Sequence, residues 1–218
     1  MIYRLNTTWL FSVVLTLLSV VSSTAKAIAQ TTFEFDTFYD TEVTLEPLTP
    51  LISKATVIGF NPNAPYGLTN FTSINNYSQF NPATGVFTFV SNPAQFGLTG
   101  EIGSDSFFGS GEDRLFGSSN ATAAIDLTTN SLNGSGTITI TGGSGRFIGA
   151  TGTFSFTETE SLDQDPTAGP LKGKAFLRGS FQIPQRVPEA SANIALIGVG
   201  AIGAAYEFHR RFYKRRFF

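Results

Sequence analysis

Two groups of carboxylates in this sequence have spacings that could support chemistry. Asp163 and Asp165 form an Asp-x-Asp loop, which offers the oxygen ligands that Ca²⁺ takes in extracellular proteins. An ordinary Asp and Pro turn explains the same residues, because no glycine or distal glutamate completes an EF-hand loop. Glu112 and Asp113, beside Arg114, could act as an acid–base pair, but glycine and serine precede them as in a solvated loop. We therefore assign no catalytic residue.

The residue types that are missing restrict the chemistry more strongly. The chain of 218 residues has no Cys, and its single His is His209, near the C-terminus. Residues 30–186 therefore lack the imidazole of a Ser-His-Asp triad and the His or Cys ligands of a zinc centre. We expect this segment to be non-enzymatic and to use no cofactor, with Ca²⁺ at Asp163 and Asp165 as the only metal candidate.

Charge is distributed unevenly along the chain, although the formal net charge of the whole is only -2. Residues 30–186 hold 14 acidic and 7 basic side chains, which gives this segment a net charge of -7. Phosphate binding needs a basic surface, so the composition argues against nucleic acid as a partner.

The N-terminus has the order of features found in secretory signal peptides. Arg4 precedes an apolar run over residues 9–21, and small residues follow at Ala25-Lys26-Ala27 or Ala27-Ile28-Ala29. We favour cleavage by signal peptidase after Ala29, which makes residues 1–29 the signal peptide. An uncleaved anchor is the alternative, but a run of roughly a dozen residues is short for a membrane span, which needs about 20.

The C-terminal residues 187–218 have three features in a fixed order. The segment Val187-Pro188-Glu189-Ala190 precedes an apolar run over residues 192–206, in which several glycines allow close helix packing in lipid. Aromatic residues suited to the membrane interface follow, and we predict a membrane helix over residues 192–208. The chain ends in a basic cluster that should stay cytoplasmic by the positive-inside rule: Arg210, Arg211, Lys214, Arg215 and Arg216. This orientation places residues 30–186 on the far side of the membrane.

This tail resembles the PEP-CTERM sorting signal of exported bacterial proteins, although Ala190 stands where the second proline is usual. The resemblance implies processing by exosortase, a membrane transpeptidase. It also implies a place at the cell surface or in the extracellular matrix, where such proteins accompany exopolysaccharide production. A plain tail anchor is the alternative interpretation, and under either one the domain faces away from the cytoplasm.

Residues 30–186 are the size of one domain, and their pattern indicates an all-β fold. Apolar side chains alternate with polar ones in short runs, for example at Ile138 and Ile140, at Phe154 and Phe156, and over residues 175–183. Turn residues separate the runs, including residues 81–85 and Asn133-Gly134. We predict an antiparallel β-barrel, with a β-sandwich as the alternative. Because the whole chain has 22 Phe and only one Trp, we expect phenylalanine to supply most of the large apolar side chains of this barrel.

A glycine-rich segment, residues 142–152, lies between two predicted strands. It lacks the Gly-Lys-Ser/Thr of a phosphate-binding loop, and a strand follows it instead of a helix, so we interpret it as structural, with Phe147 turned into the core. The segment is similar to the Gly-Gly-Thr-Gly-x-Phe-x-x-Ala-x-Gly signature of dirigent proteins and allene oxide cyclases, with Ser144 in place of Thr. The matching residues are Gly142, Gly143, Gly145, Phe147, Ala150 and Gly152. This resemblance covers residues 121–183 and implies an eight-stranded barrel.

Side-chain parity also suggests how the last two strands pair. Glu158 and Glu160 share a face with Phe154 and Phe156. If the strand that returns after residues 163–170 places its lysines opposite these acids, Glu160 faces Lys172 and Glu158 faces Lys174. We therefore expect two ion pairs across this hairpin.

Two functions of different classes are compatible with these features. The first is a non-enzymatic component of the envelope or matrix, associated with exopolysaccharide. The second is a small-molecule binder or isomerase-like enzyme that uses the barrel interior and is anchored at the membrane. The interior discriminates between them, because a dry core packed with Phe favours the first and a pocket with convergent polar groups favours the second.

Overall fold

A computed structural model describes residues 30–163 and 169–185, and nine β-strands account for most of these residues. The strands are β1 (Gln30–Pro47), β2 (Ile52–Phe60), β3 (Asn70–Asn81), β4 (Val86–Val90), β5 (Ser104–Phe108), β6 (Arg114–Asp126), β7 (Ser131–Ser144), β8 (Thr151–Ser161) and β9 (Leu171–Pro184). Short 3₁₀ turns occur at Pro65–Gly67, Pro93–Phe96 and Gly145–Phe147. Within these described ranges, no helix has the length and apolar character that crossing a bilayer requires. The predicted signal peptide, sorting tail and membrane helix lie outside them.

The antiparallel strand pairings close into a ring. β1 pairs with β2 and with β9, and the order continues through β8, β7 and β6 on one side and through β3 on the other. β4 pairs with the second half of β3 and β5 with its first half, and both also pair with β6. Nine strands therefore fill eight positions, and β3 and β8 lie four positions apart in either direction. The all-β antiparallel architecture expected from the alternation is confirmed.

Aromatic side chains fill one end of the ring. Phe35 stacks on Phe154 with ring centroids 4.6 Å apart, and Phe107 meets both rings edge-on at 5.6 Å. Phe147 and Phe181 continue this cluster and, like the other three, are fully buried. The predictions that phenylalanine supplies the core and that Phe147 turns inward are confirmed.

The glycine-rich segment makes a tight connection between β7 and β8. Gly145 and Gly149 adopt positive φ angles of 59° and 77°, which glycine tolerates without the strain that a Cβ would cause. Both flanking strands extend further into the segment than expected, because β7 ends at Ser144 and β8 begins at Thr151. The predicted turn at Asn133-Gly134 is wrong, because both residues lie inside β7 and pair with β6 and β8.

The predicted register of the last hairpin is wrong by one residue. Glu158 lies opposite Ala175, and Glu160 lies opposite Gly173. The lysines of β9 point outward instead and form ion pairs with β1, Lys172 with Glu42 at 3.7 Å and Lys174 with Asp40 at 3.2 Å. As the alternation predicted, both glutamates share a face of β8 with Phe154 and Phe156, but that face is the inside of the ring.

Candidate functional site

The half of the ring away from the aromatic cluster contains a cavity of about 80 Å³. Its walls are largely apolar, with Val43 from β1, Leu132 from β7, Phe156 from β8 and Leu177 from β9. By parity these residues are inward-facing members of their strands, because successive side chains of a strand point to opposite faces of the sheet. A cavity of this size has room for about three water-sized groups.

Two acidic side chains of β8, Glu158 and Glu160, point into this apolar cavity. Glu160 is 2% exposed, and its Oε1 accepts a hydrogen bond of 2.7 Å from the hydroxyl of Thr41. Glu158 Oε1 and Glu160 Oε2 are inaccessible to solvent, and no donor among the described residues contacts them. Carboxylate oxygens that are buried without a partner are uncommon in proteins, because each forfeits hydrogen bonds to water.

The protonation of the pair follows from this environment. Burial, then the hydrogen bond and charge of neighbouring Glu158, raise the pKa of Glu160 to about 9. Burial also raises the pKa of Glu158. Two like charges side by side in a poorly solvated site cannot both ionise easily. At neutral pH the pair therefore carries at most one negative charge.

A glycine on the neighbouring strand leaves space for this pair. Gly173 lies directly opposite Glu160 in the register of β8 and β9. A Cβ at position 173 would overlap the carboxyl group of Glu160 and the backbone oxygen of Thr159. The inward position of Glu160 thus depends on the absence of a side chain at Gly173.

A hydrogen-bonded polar network forms a second polar wall, built from β3 and β6. Asn76 donates to Ser73 and, at 3.2 Å, to Ser119, and its Oδ1 accepts from Ser91 at 2.8 Å. Ser119 in turn donates to Asp105 Oδ1 at 3.3 Å, and burial raises the pKa of Asp105 to about 6. The network lies where β3 changes its partner from β5 to β4. It satisfies most of its polar groups internally, although Asp105 Oδ2 has no described partner.

The two polar walls face each other across the cavity. Ser73 and Asn76 line it from β3, and the glutamates line it from β8, which is the opposite position in the ring. None of the described residues that line the cavity is Lys, Arg or His. The carboxyl pair is therefore not neutralised by a protein cation in the cavity wall.

The arrangement supports binding of hydrogen-bond donors better than it supports a metal. No group of three or more His, Cys, Asp or Glu side chains is placed to hold a metal ion within residues 30–163 and 169–185. Two carboxyls and one hydroxyl also supply fewer oxygens than the six to eight that Ca²⁺ takes. A carboxyl pair with at most one negative charge can accept hydrogen bonds from a ligand and can exchange a proton with it.

The carboxylates singled out in the sequence lie away from this cavity. Asp163 is exposed, and its carboxylate accepts hydrogen bonds from Asn130 at 2.8 Å and Ser161 at 2.9 Å. Asp165 lies outside the described residues. Asp113 forms an ion pair of 2.6 Å with Arg146 of the glycine-rich segment, and hydrogen bonds from the backbone and side chain of Arg146 lower the pKa of Asp113. This contact fastens the β7 to β8 connection.

The interior position of the two glutamates could have been predicted from the alternation in β8. Phe154, Phe156, Glu158 and Glu160 alternate without interruption, so a strand whose first two members are core residues places the acids inside as well. The glycine at position 173 on the returning strand is the matching small residue. The sorting and cleavage residues around 27–29, 187–190 and 210–216 lie outside the described residues.

Comparisons with known proteins leave the family open. No protein-family model matches the chain, and no curated protein matches it. Among solved structures, the chain is similar to the pterocarpan synthase dirigent protein GePTS1, with 14% sequence identity and a TM-score of 0.24. That alignment covers 74% of this chain and 96% of the other.

Proposed function

We propose that this chain is an exported protein whose β-barrel domain binds a small, mostly apolar molecule in its interior. The observation that carries the proposal is the pair Glu158 and Glu160, which presents two unpartnered carboxyl oxygens to a largely apolar cavity. A concave apolar site with a few convergent polar groups and shifted pKa values is the usual form of a ligand site.

The energetics favour a ligand over a purely structural role for the pair. Each buried polar atom without a partner destabilises a fold by about 1 to 3 kcal/mol. Thr41 is the described side chain that donates to Glu160, and it occupies only one oxygen. A bound donor would satisfy Glu158 Oε1 and Glu160 Oε2 and would offset that cost.

We propose that the domain binds its ligand without catalysing a reaction on it. The aromatic end of the ring is the dry core that a matrix protein would have, whereas the other end is a pocket with convergent polar groups. The second feature favours a small-molecule binder. Carboxyl groups alone could transfer protons as an isomerase requires, but no further group with a catalytic role lines the described cavity.

The cellular setting is a separate part of the proposal, and it rests on the chain ends. A signal peptide over residues 1–29 and a PEP-CTERM-like tail over residues 187–218 support export and retention at the cell surface or in an exopolysaccharide matrix. Intact-mass measurement of the native protein tests this setting. A chain that still ends at Phe218, in a host that processes other such tails, would leave only the plain tail anchor.

A ligand should raise the melting temperature of the full-length chain. We expect a small amine or alcohol of two carbons, at about 100 times its Kd, to stabilise the protein by about 2.7 kcal/mol, or roughly 5 to 10 °C. The substitution Ala123→Leu fills the cavity from β6 and should abolish this shift, because Ala123 lines the cavity.

The matched control is Ala124→Leu, which makes the same change on the exposed face of β6. It should keep the full ligand-induced shift. If neither probe raises the melting temperature, or if Ala123→Leu and Ala124→Leu respond alike, the cavity is not the binding site.

A further inference from the structure

We propose that the ligand of this cavity is a short alkyl primary amine, bound as its ammonium ion between Glu158 and Glu160. The inference rests on the proposed binding function and deepens it by naming the chemical class of ligand. The geometry that points to it is an acidic pair at one wall of an apolar cavity whose described lining holds no cationic side chain.

The number and type of open hydrogen-bonding positions match an ammonium group. Glu158 Oε1 and Glu160 Oε2 are acceptors, and an ammonium group presents three N–H donors and no acceptor. An alcohol offers one donor, so it leaves one of the two oxygens without a partner. A carboxylate ligand offers no donor and adds a second negative charge beside the pair.

Charge leads to the same choice of ligand. The pair carries at most one negative charge at neutral pH, because burial and the neighbouring carboxyl raise the pKa of Glu160 to about 9. One ammonium ion neutralises that charge. Hydrogen bonds between charged partners are shorter and stronger than those between neutral ones, and a poorly solvated site strengthens them further.

The rest of the cavity limits the size and polarity of the ligand. A volume of about 80 Å³ excludes bulky cations such as a substituted guanidinium with a long side chain. The side chains around the carboxyl pair, including Val43, Leu132 and Leu177, are apolar and suit an alkyl tail. An amine of two carbons, which has three non-hydrogen atoms, combines the head group and the tail that these walls accommodate.

The decisive experiment compares three probes of equal length by isothermal titration calorimetry at pH 7 on the full-length chain in a mild detergent. The probes are ethylamine, ethanol and acetate. We expect the amine to bind at least about tenfold more tightly than the alcohol, since its hydrogen bonds are charge-assisted, and we expect no binding of acetate.

Isosteric variants identify the residues responsible. Glu158→Gln and Glu160→Gln should each weaken amine binding about tenfold and change alcohol binding by less than about threefold. Glu34→Gln is the matched control, because Glu34 is an exposed glutamate of β1. It should leave the affinities for both probes unchanged. Melting curves of each variant verify that it is folded.

The outcomes separate this inference from the proposed function. Equal affinity for the amine and the alcohol, or an amine preference that survives both Gln variants, overturns the ammonium site and leaves a neutral-ligand cavity. Absence of binding by all three probes overturns both the inference and the binding function.

Discussion

The Phe154→Ala substitution is expected to destabilise the protein by about 3 to 5 kcal/mol, the usual cost of removing a fully buried Phe side chain. Phe154 is inaccessible to solvent, stacks on Phe35 and meets Phe107 and Phe181 edge-on. Deleting its ring leaves a void at the centre of the aromatic cluster. The melting temperature of the full-length chain should fall by roughly 10 °C.

An exposed phenylalanine on the next strand provides the control. Phe176 of β9 is 56% exposed on the outside of the ring, where it packs against Phe38. Phe176→Ala should therefore cost less than about 1 kcal/mol, as surface substitutions usually do. Similar losses for the two variants would mean that the aromatic end of the ring is not the core of the fold.

The second large effect is a loss of stability as the pH rises from about 5 to 8.5. The pKa of Asp105 is about 6 in the folded protein, against 3.8 as its ordinary value, and that of Glu160 is about 9, against 4.5. An acid whose pKa is higher in the folded state holds its proton there after the unfolded chain has released it. Stability therefore decreases with rising pH between the two values.

The size of this effect follows from the same shifts. Between pH 5 and 6, Asp105 alone reduces the free energy of unfolding by roughly 1 kcal/mol, because the folded carboxyl itself begins to ionise near pH 6. Glu160 continues the decline toward pH 9. Below pH 4 the slope reverses, because hydrogen bonds hold the pKa values of Asp113, Asp126 and Asp163 below 3.8, and their contribution is lost on protonation.

Urea denaturation at pH 5 and pH 8.5 measures the difference directly. Asp105→Asn and Glu160→Gln should each flatten the decline, because an amide does not titrate. Glu34→Gln, on the outside of β1, should keep the slope of the unmodified chain. A chain more stable at pH 8.5 than at pH 5 would show that the interior carboxyls are solvated or paired.

Local patterns were sufficient to predict several strands and their buried faces. Ala175, Leu177 and Phe181 share one face of β9 and are buried, whereas Phe176 on the opposite face is 56% exposed. Phe147 likewise turns inward, since a large aromatic among glycines has few other places to pack. Which side chains are buried follows here from the composition and from the two-residue period of the strands, and both are properties of the sequence alone.

The cavity could not be predicted in the same way, because it depends on register and on strands distant in sequence. The connection between β8 and β9 is too long to fix their register as a two-residue turn does. The sequence therefore predicted, wrongly, that the two lysines of β9 pair with the two glutamates of β8. Those lysines contact Asp40 and Glu42 of β1, more than a hundred residues earlier. The polar wall opposite the glutamates likewise depends on the change of partner along β3, which pairs first with β5 and then with β4.

The most direct measurement of the central claim is a crystal structure of the protein grown with ethylamine. The account predicts the amine inside the ring, with its nitrogen about 2.7 to 3.2 Å from both Glu158 Oε1 and Glu160 Oε2 and its alkyl chain against Leu132 and Leu177. A cavity that is closed by its own side chains, or an amine found only on the outer surface, would contradict the claim that these glutamates form a ligand site.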